Sequence, residues 1–205
     1  MDGSVATDNP IRLLASVPAK ADRRQIVRYP YQTDRDYAVA YHESAQRLAL
    51  TFKGQPIDDL ILLPLLTLYR QAYELQLKNA IRSLVEVRTR YVEGPSPELT
   101  EAVTEVRFKN FGHNLHKLLN EVLLHYGTLK MPEPFPSGVT KVIQWLHEAD
   151  KTGTAFRYSG RLPDTQESAD FPDLIRLLDG QFKTLVAVTD YVEGLYEDGP
   201  TLEER

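Results

Sequence analysis

The chain of 205 residues contains no cysteine. Disulfides, thiolate nucleophiles and thiolate metal ligands are therefore excluded. No glycine-rich phosphate loop, G-x-S-x-G elbow or internal repeat is present. No apolar run reaches the ~20 residues needed to cross a bilayer, so no membrane is expected as a partner. The first residues, MDGSVATDNP, lack a basic stretch followed by an apolar one. No signal peptide is therefore expected, and the cytoplasm is the expected compartment.

What remains is ordinary for a soluble protein, with 42% apolar and 26% charged residues. The length fits one domain with tails. The net charge of −5 is unevenly spread. Residues 12–35 carry a net +4, residues 70–90 a net +3, and residues 164–205 a net −8. A basic face could meet a polyanion although the whole chain is acidic.

Residues 58–94 organise the reading. Asp58 and Asp59 suit a helix N-terminus, and Gly94-Pro95 is a stop signal. Leu66, Tyr69, Tyr73, Leu77, Ala80, Leu84, Val87 and Tyr91 recur at spacings of three and four, an apolar stripe on one long helix. Pro64 marks either its start or a kink. Residues 60–69 are apolar nearly all round and are expected to be buried on several sides. Arg70, Glu74 and Lys78 lie on one face of this helix, where Glu74 can pair with both cations. That ladder is either a structural ion-pair row or a polar site between helices, a common place for ligands.

The other elements follow in order. Residues 1–30, broken by Pro10, Pro18 and Pro30, are expected to be an irregular arm. A helix from Thr33 or Asp34 carries the stripe Tyr37, Tyr41, Ala45, Leu48 and Phe52, with His42 as a surface or packing residue. Ser96-Pro97 opens a short helix to about Phe108, with Leu99, Val103 and Val106 inward. Another helix runs from His113 to Gly127, and another follows the proline-rich loop at 131–138. Ala155-Phe156-Arg157-Tyr158 is expected to be an extended segment crossing the helices. A final helix spans about 171–197, and 198–205 is a frayed tail. The fold class is therefore all-α, with residues 31–197 forming one bundle of five or six helices around one long central helix.

His113 and His116 stand three apart in a first helical turn. A metal would need a third ligand, and none follows at a diagnostic spacing, so no metal site is expected. A neutral, hydrogen-bonding His113 at a helix N-terminus, or a capping role, is the alternative.

Three segments together, LYRQAYELQLKNAI (68–81), GHNLHKLL (112–119) and AFRYSG (155–160), resemble helical proteins of the HEPN superfamily. The likeness spans about residues 60–195. It implies a HEPN-like bundle, frequent homodimerisation and one of two roles. One is a metal-independent ribonuclease or RNA-binding effector of a bacterial toxin–antitoxin or phage-defence system. The other is a catalytically silent module that binds a nucleotide or a protein partner of such a system. Nuclease members carry an Arg, four to six residues and a His, which Arg107 and His113 match with five between. Gly112 interrupts the helix that carries both residues in the family. The resemblance implies His113 as base or acid, with Arg70, Lys78 and Arg157 holding phosphate and Glu74 orienting Arg70 or Lys78. Arg107, His116 and Tyr158 are further candidates for substrate contact, and no cofactor is expected.

Overall fold

In the computed structural model, residues 31–158, 168–197, 199 and 201–202 are described. The expected arm at 1–30, residues 159–167 and most of the expected tail lie outside them. The described residues contain six α-helices and no strand, as the all-α reading requires. They are α1 (Asp34–Ala49), α2 (Leu62–Val87), α3 (Glu101–Phe111), α4 (Leu115–Thr128), α5 (Ser137–Ala149) and α6 (Phe171–Glu197). From Thr33 onward they form a single unit.

Helix α2 is the centre, packed by α1, α4 and α6. Leu65, Tyr69, Tyr73 and Leu77 have no exposed surface, and Ile81 and Leu84 almost none. The three-and-four spacing from Tyr69 onward thus became the core stripe, with Leu65 rather than Leu66 fully buried at its start. Its polar atoms are held where partners exist. The Tyr73 hydroxyl donates to the Leu178 carbonyl at 2.8 Å, and the Gln76 amide to Thr189 at 3.4 Å. Helix α1 begins with a reciprocal cap between Thr33 and Asp36.

Several boundaries and faces differ from expectation. The long helix is shorter than residues 58–92. Pro56–Ile61 is a 3₁₀ segment, and Pro64 lies in the first turn of α2, where no intrahelical N–H is lost. Arg88–Val92 closes as a turn of π-helix. Leu60 is 70% exposed, because the 3₁₀ segment turns it away from the bundle. The buried face of α1 is Ala38, His42 and Ala45. Tyr37 and Tyr41 lie outward, since small residues let α1 pack closely on α2. In α3, Thr104 and Phe108 turn inward and Val106 outward, and the Arg82 guanidinium caps the Phe108 ring at 4.8 Å. Ala155–Tyr158 is a turn, with the Arg157 and Tyr158 amides both donating to the Thr154 carbonyl.

Candidate active site on the α2–α4 face

Arg70, Glu74 and Lys78 do form a ladder on one face of α2. Lys78 Nζ donates to Glu74 Oε1 at 2.9 Å, and Arg70 Nη1 to Glu74 Oε2 at 3.4 Å. Glu74 is 1% exposed and Arg70 4%. Such charges persist in a core only when paired and hydrogen-bonded. Burial raises the Glu74 carboxyl, but the hydrogen bond and charge of Lys78, with the hydrogen bond from His113, outweigh it and hold it below the usual carboxylate range. Glu74 is therefore an anion at neutral pH.

His113 meets this anion from the residue before the α4 N-cap. Its Nδ1 lies 3.1 Å from both Glu74 oxygens. A carboxylate can only accept, so Nδ1 carries a proton, and in the neutral form of the ring the lone pair is on Nε2. The side chain is 57% exposed, which leaves it open to solvent. A buried carboxylate thus orients an accessible imidazole, the arrangement that prepares a histidine for proton transfer.

Arg70 builds the frame beneath the imidazole. Its Nη2 donates to the His113 carbonyl at 2.6 Å, and Nε and Nη2 donate to the Asp150 carbonyl at 3.3 and 3.2 Å. Nε also lies 3.4 Å from Asp150 Oδ2. One guanidinium therefore ties the start of α4 to the end of α5. Burial pulls its pKa down against the opposing pull of Asp150 and Glu74, and it stays charged. Asp150 also accepts the amides of Thr154 and Ala155 through Oδ1, at 2.9 and 3.0 Å. That closes a turn carrying Gly153 at φ +75°. A Cβ there would sit 2.9 Å from Arg70 Nη1 and 3.0 Å from His113 Cβ, so the glycine is required by both conformation and space. Arg157 donates to the Gly153 carbonyl and lies 5.9 Å from the ring centre of Tyr158, which is 59% exposed.

His113, Arg70, Glu74 and Lys78 are thus brought together, with Arg157 joined through Gly153. Arg70, expected to hold phosphate, is instead turned inward onto two backbone carbonyls. Arg107 goes elsewhere. It pairs with Glu121 of α4, whose Oε1 lies 3.3 Å from His125 Nε2, while Arg88 donates to His125 Nδ1 and clasps Glu93. His116 is exposed at the start of α4 and stacks on His147 of α5, with ring centres 5.8 Å apart and planes 21° apart. Asp150, Gly153 and His147 were not foreseen. The run Asp150-Lys-Thr-Gly153 after a helix is the one local signal that could have flagged them.

A second concavity of about 550 Å³ lies between α1 and the start of α6, over the stacked rings of Phe52 and Phe171. Gln46, Arg176 and Asp179 supply its polar edge. Asp179 accepts from His42 at 2.8 Å, from Lys183 at 2.9 Å and from Gln46. Burial raises this carboxyl, but Lys183 and His42 outweigh it, and its pKa is lowered. His42 is 4% exposed and stacked on Phe182, a packing residue.

Among the described residues, no group of three or more His, Asp or Glu is arranged to hold a metal ion. None of their helices is long and apolar enough to cross a membrane. No family model, curated protein sequence or solved structure matches this chain.

Proposed function

We propose that this is a HEPN-like ribonuclease that cleaves RNA through the 2′-hydroxyl without a metal ion, with His113 as the proton-transfer group. The observation that carries the reading is the buried Glu74 carboxylate on Nδ1 of an exposed imidazole. The reaction needs a base that is unprotonated near neutral pH and cations for the charge that grows on phosphorus. Nε2 of His113 is the base. Lys78 and Arg157 are the cations within the cluster, while Arg70 holds the backbone that positions His113. Tyr158, exposed beside Arg157, offers a face on which a base can stack. The chemistry calls for no cofactor. By analogy with the family it resembles, the protein is expected to work as a cytoplasmic homodimer in a bacterial defence or toxin–antitoxin system.

The test is cleavage of end-labelled RNA by purified protein in excess EDTA, comparing wild type with folded His113→Ala. The expected result is cutting by wild type that is lost in the variant. Cutting that survives the substitution would remove His113 from the site. A second reading, a silent module that binds a nucleotide or protein partner, draws on the groove over Phe52 and Phe171. It predicts no cutting by either protein and binding sensitive to Asp179→Ala.

A further inference from the structure

Cleavage by a 2′-hydroxyl moves two protons. One leaves the attacking oxygen and the other must reach the departing 5′-oxygen. The Glu74–His113 pair accounts for the first alone. With Nδ1 committed to the carboxylate and Nε2 holding the lone pair, neutral His113 is configured to take a proton. A second group is needed to give one.

The stacked imidazoles of His116 and His147 stand at the same corner of the bundle. His116 is in the first turn of α4, two residues past the N-cap Asn114, with His113 just before that cap. His147 lies in the last turn of α5, and Arg70 ties that end to the start of α4 through the Asp150 and His113 carbonyls. The two rings occupy different settings. His147 is half-buried, and its Nδ1 is buried with no hydrogen-bond partner among the described residues. Burial first, then the charges of His116, Arg70 and Lys151 against that of Glu148, hold His147 towards its neutral form. His116 is exposed, with its ring laid over this neutral aromatic face at 21°. A cationic ring over a neutral π-face is a favourable pair, whereas two stacked imidazolium rings are not. Of the pair, His116 is the ring that solvent and substrate can reach, and a proton it carries faces outward from a neutral partner.

We infer that His116, held on the His147 ring, is the general acid that protonates the leaving 5′-oxygen while His113 accepts the proton of the 2′-hydroxyl. The 2′-oxygen forms its bond to phosphorus and the P–O5′ bond breaks. The 2′-hydroxyl proton goes to His113 Nε2, and the His116 imidazolium proton goes to O5′. The products are a 2′,3′-cyclic phosphate and a 5′-hydroxyl. This assignment rests on the ribonuclease reading above. It makes His116 a catalytic residue and His147 a positioning residue.

The test compares two RNA substrates at one cleavable linkage. One has the natural 5′-oxygen, and the other has a bridging 5′-sulfur that leaves without being protonated. His116→Ala, with fold checked by circular dichroism and thermal melting, is expected to slow natural RNA roughly a hundred- to ten-thousand-fold, the usual worth of a general acid. It is expected to cut the 5′-sulfur substrate at close to the wild-type rate. His113→Ala is expected to lose both. His147→Ala should show a milder, likewise bypassed defect, and His147→Phe, which keeps an aromatic face, should restore natural cleavage. Equal cutting of natural RNA by wild type and His116→Ala would overturn this role while leaving the ribonuclease reading intact. A His116→Ala defect equally deep on both substrates would also overturn it, placing His116 in binding rather than leaving-group protonation. Wild-type protein that cuts neither substrate would remove the ribonuclease reading itself, and this assignment with it.

Discussion

Two clusters on α2 and α4 use the same three chemical groups in opposite ways. In one, Glu74 is sealed and His113 is open. In the other, His125 has no exposed surface and the carboxylates of Glu121 and Glu93 lie nearer the solvent. The first presents an oriented imidazole nitrogen to whatever approaches. The second encloses its imidazole between Arg88 and Glu121 and presents nothing. Composition alone does not separate a reactive site from a structural network. The difference is which member of the pair is buried. A sealed carboxylate under an exposed histidine is a poised proton acceptor, whereas a sealed histidine beside a partly buried carboxylate is internal glue.

The largest expected effect on stability is at Arg70. Arg70→Ala leaves Glu74 short of a cation and the carbonyls of His113 and Asp150 without their donor. It is expected to cost about 3–5 kcal/mol, the scale for breaking a buried ion pair. Urea unfolding measures it. A loss under 1 kcal/mol would show that the guanidinium is not the clamp between α4 and α5.

His113→Ala sharpens the contrast, because the side chain is exposed. Its stability change is expected to be well below that of Arg70→Ala, about 1–2 kcal/mol for one lost hydrogen bond to Glu74, with RNA cleavage falling roughly a hundred- to ten-thousand-fold. His125→Ala is expected to do the reverse, destabilising clearly and leaving cleavage by the folded fraction unchanged. Gly153→Ala strains the turn and presses a methyl group on Arg70 and His113. A loss of about 1 kcal/mol or more in thermal unfolding is expected. Gly54→Ala, also at positive φ but in open space, should lose less.

The smallest effect is that of pH. Burial, followed by the charges of Arg88 and Arg107, lowers the His125 pKa against the pull of Glu121. The unfolded chain then takes up a proton on acidification before the folded protein does. The contribution of His125 is complete above the unfolded value near 6.5 and is lost as pH falls through the lowered folded value. Stability measured from pH 7.5 down to 5 should therefore decline, and His125→Gln should flatten the decline. An unchanged slope would mean that His125 is not held neutral.

The parts of this arrangement that were legible in the sequence are local ones. The spacing of Leu66, Tyr69, Tyr73 and Leu77 marked the central helix, and the i, i+4, i+8 spacing of Arg70, Glu74 and Lys78 placed them on one face. His113 and His116 were placed at a helix start, which Asn114 in fact caps. The parts set by long-range partners were not legible. Nothing near Arg70 in sequence announces that its donors go to carbonyls 43 and 80 residues away. Ala155–Tyr158 has strand-like residues, but Asp150 captures the Thr154 and Ala155 amides and folds the segment into a turn. Arg107 matches a spacing with His113, yet Gly112 ends α3 at φ +55°, and the side chain finds Glu121 instead. In α1 Ala45 is buried as expected, but Tyr37 and Tyr41 lost their places to the closer packing of Ala38 and His42.

The two clusters require opposite tautomers. Glu74 can only accept, so neutral His113 carries its proton on Nδ1. Arg88 can only donate, so neutral His125 carries its proton on Nε2. Long-range ¹H–¹⁵N NMR of the imidazoles, recorded above neutral pH, reads both directly. The predicted result is Nδ1–H for His113 and Nε2–H for His125, with His113 reverting to the usual Nε2–H form in Glu74→Gln. An Nε2–H form for His113 in the wild-type protein would mean that Glu74 does not hold its ring, and the proposed site would lose its base.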